Sequence, residues 1–242
     1  MSRRSAFSVI CATALLLFAS SGADGAEIVS SLTADIIDAY GGKGAVENVR
    51  SVYMKGKIRA LAFDDKGTYV YYLKRGRKLR VNIRYTRSTE ERILNGNRGY
   101  ESTGAGFSRA FGDRYLGIVY QYRQIDLPYA LLSDTYRITY EGDAELNGRK
   151  ARVLALSSTE GPPMKIYVDA KSFFIFRVSG FFAMDTGVLV LSAEFSDFRK
   201  VQGIKLPFKI TNFAGNQKIA ETVVDKYQIN PVIEESLFRP GS

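Results

Sequence analysis

The 242-residue sequence contains no histidine, no tryptophan and a single cysteine. Without histidine, neither a Ser-His-Asp triad nor a Cys-His pair can be built. A zinc site with an imidazole ligand is excluded, and one thiol cannot make a cysteine cluster. No disulfide can form within the chain. Proline is scarce, at 6 residues, and no Pro-rich linker divides the sequence. Long apolar runs are missing as well: the longest spans only about 15 residues, short of the ~20 needed to cross a bilayer. What remains is 45% hydrophobic and 24% charged, ordinary values for a soluble globular chain rather than a disordered, collagenous or coiled-coil one. The formal charge is +9, and Phe and Tyr are abundant at 15 each.

The N-terminus has the three parts of a secretory signal. Arg3 and Arg4 form a basic start, residues 6–20 are uncharged and mostly apolar, and small residues follow from Ser20 to Ala26. Cleavage after Gly25 or after Ala23 satisfies the pattern; the former gives a signal of residues 1–25 and a mature chain of 26–242. Cys11 sits inside the apolar stretch, not at its end, so lipidation is not expected. The mature chain then has no cysteine, carries a charge of about +8, and is indifferent to an oxidising compartment.

Along the mature chain, Ile28, Leu32, Ile36 and Tyr40 recur every four residues, which predicts a helix over 27–40. Gly41-Gly42 stops it, and a short second helix follows over 43–50. From Ser51 the period changes to two. Val52, Met54 and Ile58 alternate with Tyr53, Lys55, Lys57 and Arg59, Leu79, Val81 and Ile83 with Lys78, Arg80, Asn82 and Arg84, and Leu206, Phe208 and Ile210 with Lys205, Lys209 and Thr211. Turns at 64–67, 75–76, 95–96, 147–148 and 215–216 separate about eleven strands, as in an antiparallel meander. The Gly-rich stretch 103–111 reads as loop. Residues 114–125 read as a helix, and 129–132 as a short one after Pro128. The expected class is mainly β: one domain over 26–242, with a curved sheet that hides one face and wets the other.

Two stretches carry a family likeness. The first is Tyr40-Gly41-Gly42, then Val49-Arg50-Ser51-Val52 and Gly56. The second is Glu194-Phe195-Ser196-Asp197-Phe198-Arg199-Lys200-Val201, followed by Gly203-Ile204-Lys205-Leu206-Pro207, Glu221-Thr222, Asn230-Pro231 and Leu237-Phe238. Together they resemble the outer-membrane lipoprotein-sorting superfamily of LolA/LolB-like periplasmic carriers, in its poorly characterised branch. The resemblance implies an unclosed, half antiparallel β-barrel of about eleven strands. It also implies short helices plugging the concave side and an apolar cavity able to take acyl chains.

Three groups of residues are candidates for function. Val52, Met54, Ile58, Leu79, Val81, Ile83, Leu189, Leu191, Phe195, Leu206, Phe208 and Ile210 share the apolar face, either as a lipid cavity or as plain core. Tyr115, Ile118, Val119 and Tyr122 on the middle helix form either a lid hinged at Gly104 and Gly106 or a fixed plug. Lys74, Arg75, Arg77, Lys78, Arg80 and Arg84, with Arg87, form a basic run without an intervening acid. It suits anionic head groups or an acidic partner, or else a solvated face that discourages edge pairing. Gly41-Gly42-Lys43-Gly44 lacks the spacing of a phosphate loop. Asp64-Asp65 and Glu90-Glu91 point to opposite faces of a strand and make no paired-carboxylate site.

The expectation is a non-enzymatic, soluble periplasmic carrier, a monomer, for lipid or the acyl chains of a lipoprotein. It needs no cofactor, no metal and no nucleic acid, and an inner- or outer-membrane receptor protein is a candidate partner. The alternative is a protein-binding or envelope-stress sensor module of the same fold without lipid cargo.

Overall fold

The computed structural model describes residues 21–241. The apolar segment of the expected export signal, residues 6–20, lies outside them. Among the described residues no helix is long and apolar enough to cross a membrane.

The described strands are β1 (Ser51–Ala60), β2 (Asp65–Lys74), β3 (Lys78–Tyr85), β4 (Thr89–Asn95), β5 (Arg98–Ser102), β6 (Ser108–Ala110), β7 (Arg137–Leu146), β8 (Arg149–Ser157), β9 (Met164–Asp169), β10 (Ile175–Met184), β11 (Gly187–Val201), β12 (Ile204–Ala214) and β13 (Gln217–Ile229). The helices are α1 (Ser21–Tyr40), α2 (Lys43–Glu47) and α3 (Gly112–Asp126), with 3-10 turns at Tyr129–Leu132 and Glu235–Phe238. All thirteen strands belong to one antiparallel sheet that does not close into a barrel. The expected unclosed half-barrel is therefore present, with β5 and β6 added to the eleven strands anticipated. The stretch expected to be loop contains the three-residue β6.

The strand order is β6-β5-β4-β3-β2-β1-β13-β12-β11-β10-β9-β8-β7. Two meanders thus run outward from a central β1–β13 pair. The chain leaves the sheet at one edge, β6, and re-enters at the other, β7. The connection between those edges must cross an open face, and α3 with its following 3-10 turn is that connection. α3 lies against β2, β4 and β5 and also against β10. Those strands stand far apart in the order, so the sheet curves around the helix.

Two glycines let α3 come this close. A methyl group at Gly99 of β5 would fall 2.9 Å from the Tyr115 ring, and one at Gly180 of β10 would fall 2.6 Å from the Tyr120 ring. Neither distance is tolerable for a carbon atom, so both positions need a residue without Cβ.

The inward face of the sheet packs with the helices into one apolar cluster. It joins Leu32 and Ile36 of α1, Leu73 of β2, Leu79 and Val81 of β3, Leu154 of β8 and Ile166 of β9. Each such fully buried side chain contributes about 1.5–3 kcal/mol. A smaller cluster lies on the opposite face of β3 and β4. There Phe238, from the C-terminal 3-10 turn, and Ile93 are fully buried.

Candidate functional site

Between the inward face of the sheet and α3 lies a cavity of about 930 Å³. That is at the upper end of the range for small-molecule sites, ~300–1,000 Å³. It opens at the end of the sheet that carries the β1–β2 turn, where Phe63 is 76% exposed.

Six of the twelve apolar candidates line it: Ile58, Ile83, Leu191, Phe195, Leu206 and Ile210. The other six lie elsewhere. Val52, Met54, Leu79 and Val81 occupy the same strand faces as Ile58 and Ile83. They sit further from the mouth, at 0–1% exposure, within the core cluster. Leu189 is 38% exposed. β11 runs beyond β12 here, since Leu191 opposite Ala214 begins the β11–β12 ladder, so Leu189 stands on a projecting hairpin. Phe208 is half-buried, packed 5.4 Å from the Tyr227 ring and beneath the Arg199 guanidinium.

The helix face turned to the cavity also differs from the apolar stripe. Of Tyr115, Ile118, Val119 and Tyr122, only Ile118 lines the space. Arg114, Gly117, Gln121, Gln124 and Ile125 line it with Ile118, at the three- and four-residue spacing of one helical face. Tyr115, Val119 and Tyr122 face away and anchor the helix. The apolar stripe of α3 is the part that packs, and its more polar stripe meets the cavity.

The anchoring brings two of the candidate groups together. The Arg77 guanidinium donates to the Tyr115 hydroxyl at 3.1 Å, and the Arg77 backbone N–H donates to the Tyr122 oxygen at 3.2 Å. Tyr122 in turn donates to Asp126 at 3.2 Å. Arg75 places its Nε 3.6 Å from Asp126 and donates to the Tyr129 carbonyl at 3.3 Å. Asp126 is buried, and that burial pushes its carboxyl up to about 6, against the opposing pull of Arg75 and Tyr122. The β2–β3 turn thus holds the C-terminal half of α3.

The rest of the basic run holds the chain's end. Lys74 and Lys78 both pair with Glu235, and their hydrogen bonds bring that carboxyl down to about 2. Arg80 is only 6% exposed; it donates to Glu91 at 2.6 Å and to the Leu237 carbonyl at 3.1 Å. Arg77 also pairs with Glu160. Arg84 is exposed. The charges at the cavity mouth pair among themselves: Arg87 with Asp65 at 3.3 Å, Arg92 with Glu90 at 2.6 Å and Arg114 with Glu101 at 2.7 Å. Such a rim presents no uncompensated positive field to an anionic head group.

Seven tyrosines that sequence reasoning did not single out for the cavity line it: Tyr40, Tyr69, Tyr71, Tyr85, Tyr120, Tyr129 and Tyr227. Burial raises all of their phenols above the ordinary value, Tyr69 to about 12. They stay neutral and act as hydrogen-bonding groups. The alternation Tyr69, Tyr71 on β2, in phase with the inward residue Leu73, was the available signal.

Among the described residues no group of three or more Cys, Asp or Glu side chains is arranged to hold a metal. No family model matches the chain, and no curated protein matches its sequence. Solved structures do match its fold. A DUF1329 family protein from Desulfovibrio piger superposes with a TM-score of 0.59 at 12% identity, over 87% of this chain and 97% of that one. A LolA superfamily protein from Nitrosomonas europaea gives 0.56 at 12% identity, over 89% and 98%. A domain provisionally assigned to outer-membrane lipoprotein sorting, from Vibrio parahaemolyticus, gives 0.54 at 13% identity, over 90% and 97%. The chain has the LolA/LolB-like fold.

Proposed function

We propose that this chain is an exported periplasmic carrier, not an enzyme, and that it shelters the apolar part of a lipid or lipoprotein-type amphiphile in the cavity between α3 and the sheet. The observation that carries the reading is the cavity itself, about 930 Å³ and walled by Ile58, Ile83, Leu191, Phe195, Leu206 and Ile210. Burying a methylene there is worth about 0.8 kcal/mol, so even a short tail gains affinity. The likeness of fold to a lipoprotein-sorting domain supports the same reading. The domain in question is the mature chain, 26–242.

Native mass spectrometry of protein purified from the export compartment, with lipid extraction of the same sample, tests it. A bound mass that extracts as lipid or lipoprotein is the expected result. A bare polypeptide that stays bare after incubation with lipids refutes it.

One observation favours a second reading, a module that docks on a membrane protein. The β1–β2, β12–β13 and β10–β11 turns lie at one end of the sheet, and Phe63, Met184 and Val188 are exposed there. Capture of one specific protein, unaffected by delipidation and lost in a Phe63→Ser variant, would move the assignment to that reading.

A further inference from the structure

The inner part of the cavity is not a hydrocarbon surface. The Tyr227 hydroxyl donates to the Pro207 carbonyl at 2.9 Å. Gln121 uses its amide N–H on the Tyr69 hydroxyl at 3.1 Å. Two atoms of the same lining are left over. The Tyr129 hydroxyl, on a side chain only 1% exposed, has no hydrogen-bond partner, and neither has the buried Gln121 carbonyl oxygen.

Buried polar atoms are ordinarily paired, and an unpaired one costs about 1–3 kcal/mol. Here one unpaired hydroxyl and one unpaired carbonyl belong to the wall of a single cavity, on α3 and the turn that follows it. A saturated tail offers them nothing. A ligand oxygen reaching the inner wall would satisfy them. An anion would not be held there: Arg75, the cation beside this wall, is already engaged by Asp126 and the Tyr129 carbonyl.

We infer that the cavity selects an amphiphile whose inserted end carries an uncharged hydrogen-bonding oxygen, a hydroxyl or carbonyl, in preference to one ending in a plain methyl group. The inference rests on the carrier reading and narrows its ligand class. The ionic or bulky end stays at the mouth, among Arg87, Arg92 and Arg114 and their carboxylates. The polar inner end meets Tyr129 and Gln121. A pocket lined only by hydrocarbon cannot reward such a group, whereas a site built to hydrogen-bond it discriminates strongly against its absence.

Hexadecanoate and 16-hydroxyhexadecanoate differ only in one terminal hydroxyl and make the test. Both are titrated against the full mature chain by calorimetry, and they compete for it in native mass spectrometry. The expected result is a preference of about tenfold or more for the hydroxy acid. In Tyr129→Phe and in Gln121→Leu, checked for folding by circular dichroism, that ratio falls several-fold. Tighter binding of hexadecanoate by the unaltered chain overturns the inference and leaves the carrier reading standing. A preference that survives both substitutions overturns the assignment to these residues. Binding of neither acid removes the carrier reading and the inference together.

Discussion

The Tyr120 hydroxyl on α3 donates to the Leu191 carbonyl at 2.8 Å, so a helix in the connection between the two sheet edges is fixed to a strand of the far meander. The Val178 carbonyl, 3.2 Å from the same hydroxyl, is the alternative acceptor for its one proton, and the contact of the ring with Gly180 completes the attachment. Gly180→Ala forces the ring away and is expected to lower the unfolding free energy by about 1–3 kcal/mol. Tyr120→Phe keeps the ring and loses the hydrogen bond, at about 1 kcal/mol. Urea unfolding of both variants checks this. An alanine at 180 that costs nothing would show that the helix is not held by this contact.

Asp126 gives the fold a pH dependence of unusual sign for a carboxylate. Its ordinary value is near 3.9, and burial lifts it to about 6 in the folded chain. A carboxyl whose pKa rises on folding stabilises fully below the unfolded value, and that contribution is lost as pH climbs through the folded one. Relative to Asp126→Asn, the native chain should therefore gain about 2 kcal/mol between pH 8 and pH 4. Denaturant midpoints of the two proteins across that range measure it; parallel curves would contradict it.

Leu79 and Ile83 share one face of β3, but only Ile83 reaches the cavity. Leu79→Ala should cost about 2–5 kcal/mol of stability and leave ligand uptake by the folded fraction unchanged. Ile210→Trp places a large ring in the cavity. It should reduce uptake of hexadecanoate by about tenfold, at a stability cost below that of Leu79→Ala. Uptake unaffected by the tryptophan would move the binding site elsewhere.

The C-terminal turn is held by packing more than by charge. Phe238 is fully buried, and Phe238→Ala should cost about 3–5 kcal/mol. Glu235 is exposed and solvent-screened, so Glu235→Gln should shift the thermal midpoint little. The reverse ranking by calorimetric melting would assign the turn's attachment to the Lys74–Glu235–Lys78 pairs.

The sheet was legible because β1, β3 and β12 alternate apolar and polar residues, and because Arg75-Gly76, Asn95-Gly96, Asn147-Gly148 and Gly215-Asn216 mark hairpin turns. β5 and β6 were not. Gly99 makes β5 look like a loop, yet that glycine is required by the approach of Tyr115. β6 has three residues, too few to show a period. A residue's face could be read, but not its depth. Val52 and Ile58 obey the same alternation; one is packed under the helices and the other borders the cavity. Hydrophobicity on α3 likewise marked the side that packs, whereas the cavity-facing side, with Gln121 and Gln124, carries no apolar signature. The tyrosines were missed because their rings count as core in any periodicity, and only the structure shows where their hydroxyls end.

Asn230 accepts the backbone N–H of Arg50 at 2.6 Å across 180 residues of sequence and that of Ser51 at 3.2 Å across 179. It clasps the β1–β13 pair at the middle of the sheet. The middle is therefore assembled from segments far apart in the chain, and the outer strands from local hairpins. Closing so long a loop is entropically costly, and topologies dominated by distant pairings fold slowly. Hairpins can form early, but the two meanders stay unjoined until β13 arrives. The cavity takes its walls from both meanders, Ile58 and Ile83 from one and Leu191 and Ile210 from the other, so it comes into being only when that last join is made.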